Sequence, residues 1–374
     1  MALDVPEGRS IYIYHPNKIA PTCFAAAFTL SGALHFWQCY RYKCFKITSL
    51  HILCCLMFAA GFALREYNAF NYTFTKANLD IYIASTSLIY MCPPLLELAN
   101  YQVLGRILYY VPHCSPLHPG RVLTTFGLLS AIVEALNAIG VTYIANPSVP
   151  EKATKLGHVL MKTSLILQLL VIACFCALAW TFQLRCKRAG IVAGKGKRGN
   201  KRVFALLGTL YASMFVIFVR CVYRTVEHFG FSDISGGKLT VNDPTTLSPL
   251  VRHEWFFYVF EAALMAFNSV LWNVSHPRRY LPERYETYLT RDGVTELVGP
   301  GWRDERPFIV TVCDPFGWFV RKGGEGKERG KPFWETDGYG LEGKKQHGEH
   351  GLVSEGTDGI LLPTDPGAGA ATAV

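Results

Sequence analysis

Hydrophobic positions along this chain gather into seven long runs: Ile19 to Cys39, Ile47 to Leu64, Ile81 to Leu104, Val122 to Ile144, Val159 to Phe182, Val203 to Val222 and Trp255 to Val274. Each has about 18 or more mainly apolar residues, enough to cross roughly 30 Å of hydrocarbon as a helix. Inside lipid the backbone amides have no water to bond, so segments of this kind must satisfy their own hydrogen bonds. The expected fold class is therefore all-α, an integral membrane bundle of seven transmembrane helices. It occupies residues 19–274, between a short N-terminal segment, 1–18, and a C-terminal tail, 275–374.

Lysine and arginine set the orientation. The connections Tyr40 to Lys46, Gly105 to Arg121, Arg185 to Arg202 and Ser275 to Thr290 hold 16 of them. The N-terminus and the connections on the opposite side, leaving out the boundary residue Arg65, hold 8. That asymmetry predicts an extracellular N-terminus and a cytoplasmic C-terminus. The first 18 residues are polar and carry Asp4, Glu7, Arg9 and Lys18, so the first helix is expected to act as its own insertion signal. Asn71-Tyr72-Thr73 is a glycosylation sequon in a predicted outer connection, with Asn71 the candidate acceptor.

Half of the 374 residues are hydrophobic, and the net charge is +9. Most of that charge lies in "RCKRAGIVAGKGKRGNKR", Arg185 to Arg202, on the predicted inner side. Anionic inner-leaflet lipids, not nucleic acid, are the expected partner there. None of the twelve cysteines falls in an outer connection, which excludes disulfides between outer loops. From Lys322 onward the tail is rich in Gly, Lys and Glu and is expected to be largely disordered. An apolar piece, Pro307 to Val320, precedes it. The connection Gly230 to Pro249 reads as a long outer loop.

Within the apolar runs, charges stand out. Val203 to Val219 contains none, and then Arg220, Arg224 and Glu227 follow at i, i+4 and i+7 on one helix face. Seventeen residues at 1.5 Å rise reach roughly 25 Å, which sets Arg220 near the outer boundary. The seventh run opens with His253 and Glu254 at the same level, with Glu261 two turns deeper, and the second run ends at Arg65. These residues are expected to meet as one polar cluster. It is either an amphiphile-binding site or an ion-pair network joining helices six and seven. Deeper still are Glu134 in the fourth run and Glu97 and Asn100 in the third, after the Pro93-Pro94 pair expected to kink or interrupt that helix. A carboxylate at that depth is a site candidate, with proton coupling one use and a buried neutral hydrogen bonder another. His35 and Gln38 read as interhelical hydrogen bonders.

No catalytic, cofactor-binding or metal-binding constellation emerges. "GIVAGKG" lacks the spacing and the final Ser/Thr of a nucleotide-binding loop, and no HxxxH or HExxH lies in a helix. "HCSPLH", His113 to His118, falls in a short inner loop.

Several segments carry a resemblance: "YIYHP", His35 and Gln38, "GFALR" at Gly61 to Arg65, "LANYQVLGR" at Leu98 to Arg106, and above all "VRCVYRTVEHFGF", "HEWFFYVFEAALM" and His276-Pro277. Over about residues 11–280 the chain resembles the fungal RTA-like family, the lipid-translocating exporters. The resemblance implies seven helices, an outside N-terminus and a plasma-membrane role in moving or responding to amphiphilic lipids, including sphingoid bases and sterol-like toxic compounds. The chain departs from the family pattern at Phe58, where a Glu is usual, and at Ser130 and Asn137, where Asp and Gln are usual. Glu134 lies one turn from each of the latter two.

The expected function is thus a multi-pass plasma-membrane protein, not an enzyme, that binds and translocates amphiphilic small molecules and contributes to resistance against them. Arg65, Arg220, Arg224, Glu227, His253, Glu254, Glu261 and Glu134 are the candidate substrate-binding residues. A receptor or stress sensor signalling through the inner loop and tail fits the same topology, and a membrane-embedded lipid hydrolase is the third reading. Oligomeric state is set by none of these residues.

Overall fold

The computed structural model describes Tyr12 and residues 15–73, 75–145, 150–190, 197–234, 252–291 and 295–299. Six long helices come first: α1 (Ala20–Tyr42), α2 (Phe45–Phe70), α3 (Lys76–Tyr110), α4 (Pro119–Ala145), α5 (Glu151–Arg188) and α6 (Lys197–Ile234). A seventh, α7, is continuous in three parts: α-helical Trp255–Phe257, π-helical Tyr258–Ala263 and α-helical Leu264–Val274. Nearly every apolar run falls within a single helix, and several helices extend well beyond their run. The tail from Pro307 onward lies outside the described residues. Of the predicted outer loop, the first part is still α6, which runs to Ile234, and residues 235–249 lie outside the described set.

Local chemistry explains where the helices begin. Proline, which needs no amide partner in a first turn, stands at position 21 in α1 and opens α4 at Pro119. Thr75 caps α3 by accepting from the amide of Asn78 at 3.2 Å. Arg185, Lys187 and Arg188 fill the last turn of α5, where cations suit the negative end of the helix dipole. The Pro93-Pro94 pair does not interrupt α3, which runs unbroken through both.

Six of the helices, α2 to α7, are long and apolar enough to cross a membrane. The other, α1, has 23 residues, but His35, Gln38 and Arg41 dilute its apolar character. Its packing still makes it part of the bundle. Its contacts with α7 keep a nearly constant sequence separation, from Asn17 on Glu254 through Ser31 on Ser269 to Gln38 on Asn273, so the two helices run parallel. Between α2 and α3 the order reverses. Cys54 meets Cys92 and Gly61 meets Ser85, the signature of an antiparallel pair.

The bundle is apolar outside, and its largely apolar core encloses polar groups. Leu30, Leu56, Leu170, Trp180 and Phe215 are more than half exposed, whereas Asn100, Asn268 and Glu261 are completely buried. In water that exterior would be a large adhesive surface; against lipid tails it is ordinary. The helices also approach closely. A Cβ on Gly140 of α4 would sit 2.7 Å from Met161 Cγ and 3.0 Å from the Gly157 carbonyl of α5, so only glycine fits that seam.

Past α7 the chain folds back. A 3₁₀ turn, Pro277–Arg279, leads into a two-stranded antiparallel hairpin, Thr287–Leu289 with Glu296–Val298, an element not anticipated in an all-helical chain. The hairpin is held against the end of α3. The buried Arg106 donates to the carbonyls of Arg284 at 2.7 Å and Thr287 at 3.2 Å, and the Tyr110 hydroxyl donates to Glu296 at 2.7 Å.

Candidate functional site

The face of α6 that carries Arg220, Arg224 and Glu227 is turned into the groove between α3 and α7. Arg220 Nε donates to both carboxylate oxygens of Glu261, at 2.8 and 2.9 Å, and both side chains are almost wholly buried. One turn on, Arg224 pairs with Glu227 on its own helix and lies 4.0 Å from the ring centre of Tyr90 on α3. Its other guanidinium arm meets His228 Nε2 at 3.1 Å. A third pair joins different helices: Arg65 of α2 donates to Glu254, just ahead of α7, at 2.9 Å. Around it the Tyr258 hydroxyl donates to Glu254 at 3.1 Å, the backbone amide of Asn17 donates at 2.7 Å, and the Arg65 guanidinium stands 4.3 Å over the Phe257 ring.

Six of the anticipated residues therefore pair, but as separate steps and not as one ring. Arg220 lies well inside its helix and not at its end. Helix α6 continues from it to Ile234, roughly 20 Å at the helical rise, and its partner Glu261 is two turns into α7. The charge-free stretch ended at Arg220 because hydropathy counts the charge and cannot count the carboxylate that neutralises it. The π-helical turn, Tyr258–Ala263, carries Glu261 itself, and such turns recur at functional positions. His253 is not drawn in: its side chain is exposed.

Glu134 belongs to a second group, between α3, α4 and α5. Glu97 is its centre, 1% exposed. Gln168 Nε2 donates to one carboxylate oxygen at 2.8 Å and the Tyr101 hydroxyl to the other at 3.2 Å. Tyr101 in turn shares a 3.0 Å hydrogen bond with Ser130. Glu134, half-buried, lines a narrow crevice with Pro94, Glu97, Ser130 and Gln168. Ser130 thus serves this group, while Phe58 stacks on Phe28 at 4.4 Å as part of an aromatic column.

Neutral polar groups knit α1, α2 and α7. Ser31 and Ser269 share a hydrogen bond at 2.6 Å, Asn273 donates to Ser31 at 2.6 Å, and Gln38 donates to the Asn273 carbonyl at 2.9 Å. His35 reaches Ser269 at 3.4 Å. His35 and Gln38 are thus interhelical hydrogen bonders. His51, between His35 and Trp272, has no hydrogen-bond partner on either ring nitrogen among the described residues.

Sequence reasoning missed Tyr258, Tyr90, Gln168 and Tyr101. Tyr258 was within reach, one turn beyond Glu254 on a helix already singled out, and Tyr101 stands at the same spacing from Glu97. Tyr90 and Gln168 carry no local signal, because only the packing of α3 against α6 and α5 gives them a role. Asn71, the glycosylation candidate, is exposed at the end of α2, its amide donating to the Tyr67 carbonyl at 3.1 Å. Among the described residues no group of three or more His, Cys, Asp or Glu side chains is placed to hold a metal ion.

The family model described as "RTA1 like protein" matches residues 51–284. The chain belongs to the RTA1-like family. Curated relatives agree. A lipid-translocating exporter-like protein RTA1 from Leptosphaeria maculans is 45% identical over 85% of this chain and 61% of its own length. A protein of the same name from Ajellomyces capsulatus is 27% identical over 63% of the chain and 71% of its length. A probable lipid transporter, atnI, from Emericella nidulans is 24% identical over 74% and 70%. The chain thus spans about three fifths of the length of the Leptosphaeria relative. No solved structure matches. The matched region of this RTA1-like protein begins within α2 and ends past α7. It includes all three ion pairs and the Glu97 group, and the protein is an integral membrane protein.

Proposed function

We propose that this RTA1-like chain is a seven-span plasma-membrane protein, N-terminus outside and C-terminus cytoplasmic, that binds amphiphilic lipids and translocates them between leaflets. Sphingoid bases and sterol-like compounds are the cargo class, and protection against toxic amphiphiles is the consequence. The relatives' names supply the lipid; the residues of this chain supply a place for its headgroup. The basic connection Arg185 to Arg202 rests on anionic lipids of the inner leaflet.

One contrast carries the reading. The pairs Arg65–Glu254 and Arg220–Glu261 each tie separate segments of the fold together. The pair Arg224–Glu227 closes within one helix and is the least buried of the three, with side chains 12% and 21% exposed. A local pair of this kind adds only a few tenths of a kcal/mol to a fold, so its place in a lipid-facing bundle calls for another use. A charged headgroup can exchange into it, an amine onto Glu227 or a phosphate onto Arg224, while the tail lies along apolar helix faces.

The test is purified full chain in vesicles carrying a fluorescently labelled sphingoid base. Transbilayer movement faster than in protein-free vesicles, and slowed in Glu227→Gln, is the expected result. Movement no faster than in protein-free vesicles overturns translocation, and binding without movement returns the sensor reading.

A further inference from the structure

Glu97 has a feature that the charged pairs lack. Its carboxyl is almost fully enclosed, yet both hydrogen-bond partners, Gln168 and Tyr101, are neutral. The ionisable groups around it are Tyr101 on its own helix, Glu134 on α4, and Arg220 and Cys221 on α6; α5 contributes the neutral Gln168. Arg220 is the one cation among them, and it is already held by both oxygens of Glu261. One arginine thus faces three carboxylates, Glu261, Glu97 and Glu134. A surplus of two negative charges inside a lipid-embedded bundle is costly, and a bound proton is the simplest relief.

The hydrogen bonds accommodate that proton without rearrangement of the chain. With Glu97 ionised, Ser130 donates to Tyr101 and Tyr101 donates to Glu97. With Glu97 protonated, the acid O–H donates to Tyr101 and Tyr101 donates to Ser130. The Tyr101–Ser130 contact permits either direction. Ser130 and Glu134, one turn apart on α4, line the crevice together. A short relay therefore runs from the closed carboxyl of Glu97 to Ser130, in the crevice that the half-open Glu134 also lines.

We infer that Glu97 is a proton-binding site, loaded and unloaded through Tyr101, Ser130 and Glu134, and that it couples lipid movement to a transmembrane proton gradient. The coupling rests on the translocation proposed above; the proton site itself does not. Chemically nothing is transferred except the proton, which both reaches and leaves Glu97 through the relay.

Infrared spectroscopy of the full chain over a pH titration reads the proton directly. A protonated carboxyl band near neutral pH is expected in the wild type and in Glu227→Gln, and is lost in Glu97→Gln. Absence of the band in the wild type, or its persistence in Glu97→Gln, overturns the site. In vesicles with the membrane potential clamped, the wild-type rate for the labelled sphingoid base is expected to change several-fold with an imposed pH gradient. Glu97→Gln loses that response and Glu97→Asp, which keeps a carboxyl, retains it. Wild-type movement that ignores the gradient overturns the coupling while translocation stands. No wild-type movement removes translocation and the coupling with it, and the infrared band still decides where the proton sits. Elution volume and melting temperature identify any variant that has not folded, in which case the wild-type titration and Glu97→Asp carry the decision.

Discussion

The two sides of this bundle bury polar groups of opposite character. On α1, α2 and α7, below the Arg65–Glu254 pair, they are neutral hydroxyls, amides and imidazoles, some joined at hydrogen-bond distance and others, such as His51, Asn68 and Asn268, without a partner among the described residues. Between α3, α4, α5 and α6, where α7 lends Glu261, carboxylates and arginines are buried beside the neutral Asn100–Ser213 pair. Neutral groups in lipid hold helices together at modest gain. Ionisable ones are expensive to keep there and persist where something is bound or moved. The first side reads as a frame and the second as the working part.

The sharpest way to break this contrast is to leave a charge alone. Arg220→Ala or Glu261→Ala strands its partner in the interior and is expected to cost about 3–5 kcal/mol, measured as lost thermal stability in detergent. Arg220→Met combined with Glu261→Leu should recover most of that loss. If the single variants melt like the wild type, the pair is not buried as described.

The local pair should behave the other way round. Arg224→Gln and Glu227→Gln are expected to weaken binding of their preferred headgroup about tenfold, some 1.4 kcal/mol, while the melting temperature falls less than in the Arg220 and Glu261 variants. Titration of labelled sphingoid base and of a lipid phosphate into each variant checks both the size and which residue serves which charge. On the neutral side, His51→Phe keeps an aromatic ring against His35 and Trp272 and removes two unsatisfied nitrogens. A gain of about 1 kcal/mol is expected, seen as a raised melting temperature, and a loss would mean the imidazole has a polar role. Gln38→Met, which removes the bond to the Asn273 carbonyl, should give the smallest effect, a loss of about 0.6 kcal/mol, typical of one hydrogen bond between membrane helices.

Much of the helical frame could be read from the chain, because lipid forces long unbroken apolar runs and permits few other forms. The shared face of Arg220, Arg224 and Glu227 followed from spacing alone, as did the Arg224–Glu227 pair. The length of α6 did not: the helix continues to Ile234, well past Arg220, whose charge is neutralised by Glu261 of α7. Partners across helices, such as Gln168 for Glu97 or Tyr90 for Arg224, depend on which helices adjoin, and periodicity within one helix says nothing of that. The π turn and the hairpin were hidden for a related reason. A turn with one surplus residue, and strands of three residues each, are too short to leave a pattern.

Arg106 fixes that hairpin through main-chain oxygens only, those of Arg284 and Thr287. The grip therefore ignores which side chains occupy positions 284 and 287 and depends on the path of the backbone. Substitutions at those two positions leave the latch closed, whereas inserting or deleting a single residue between α7 and the hairpin would pull the acceptors out of line.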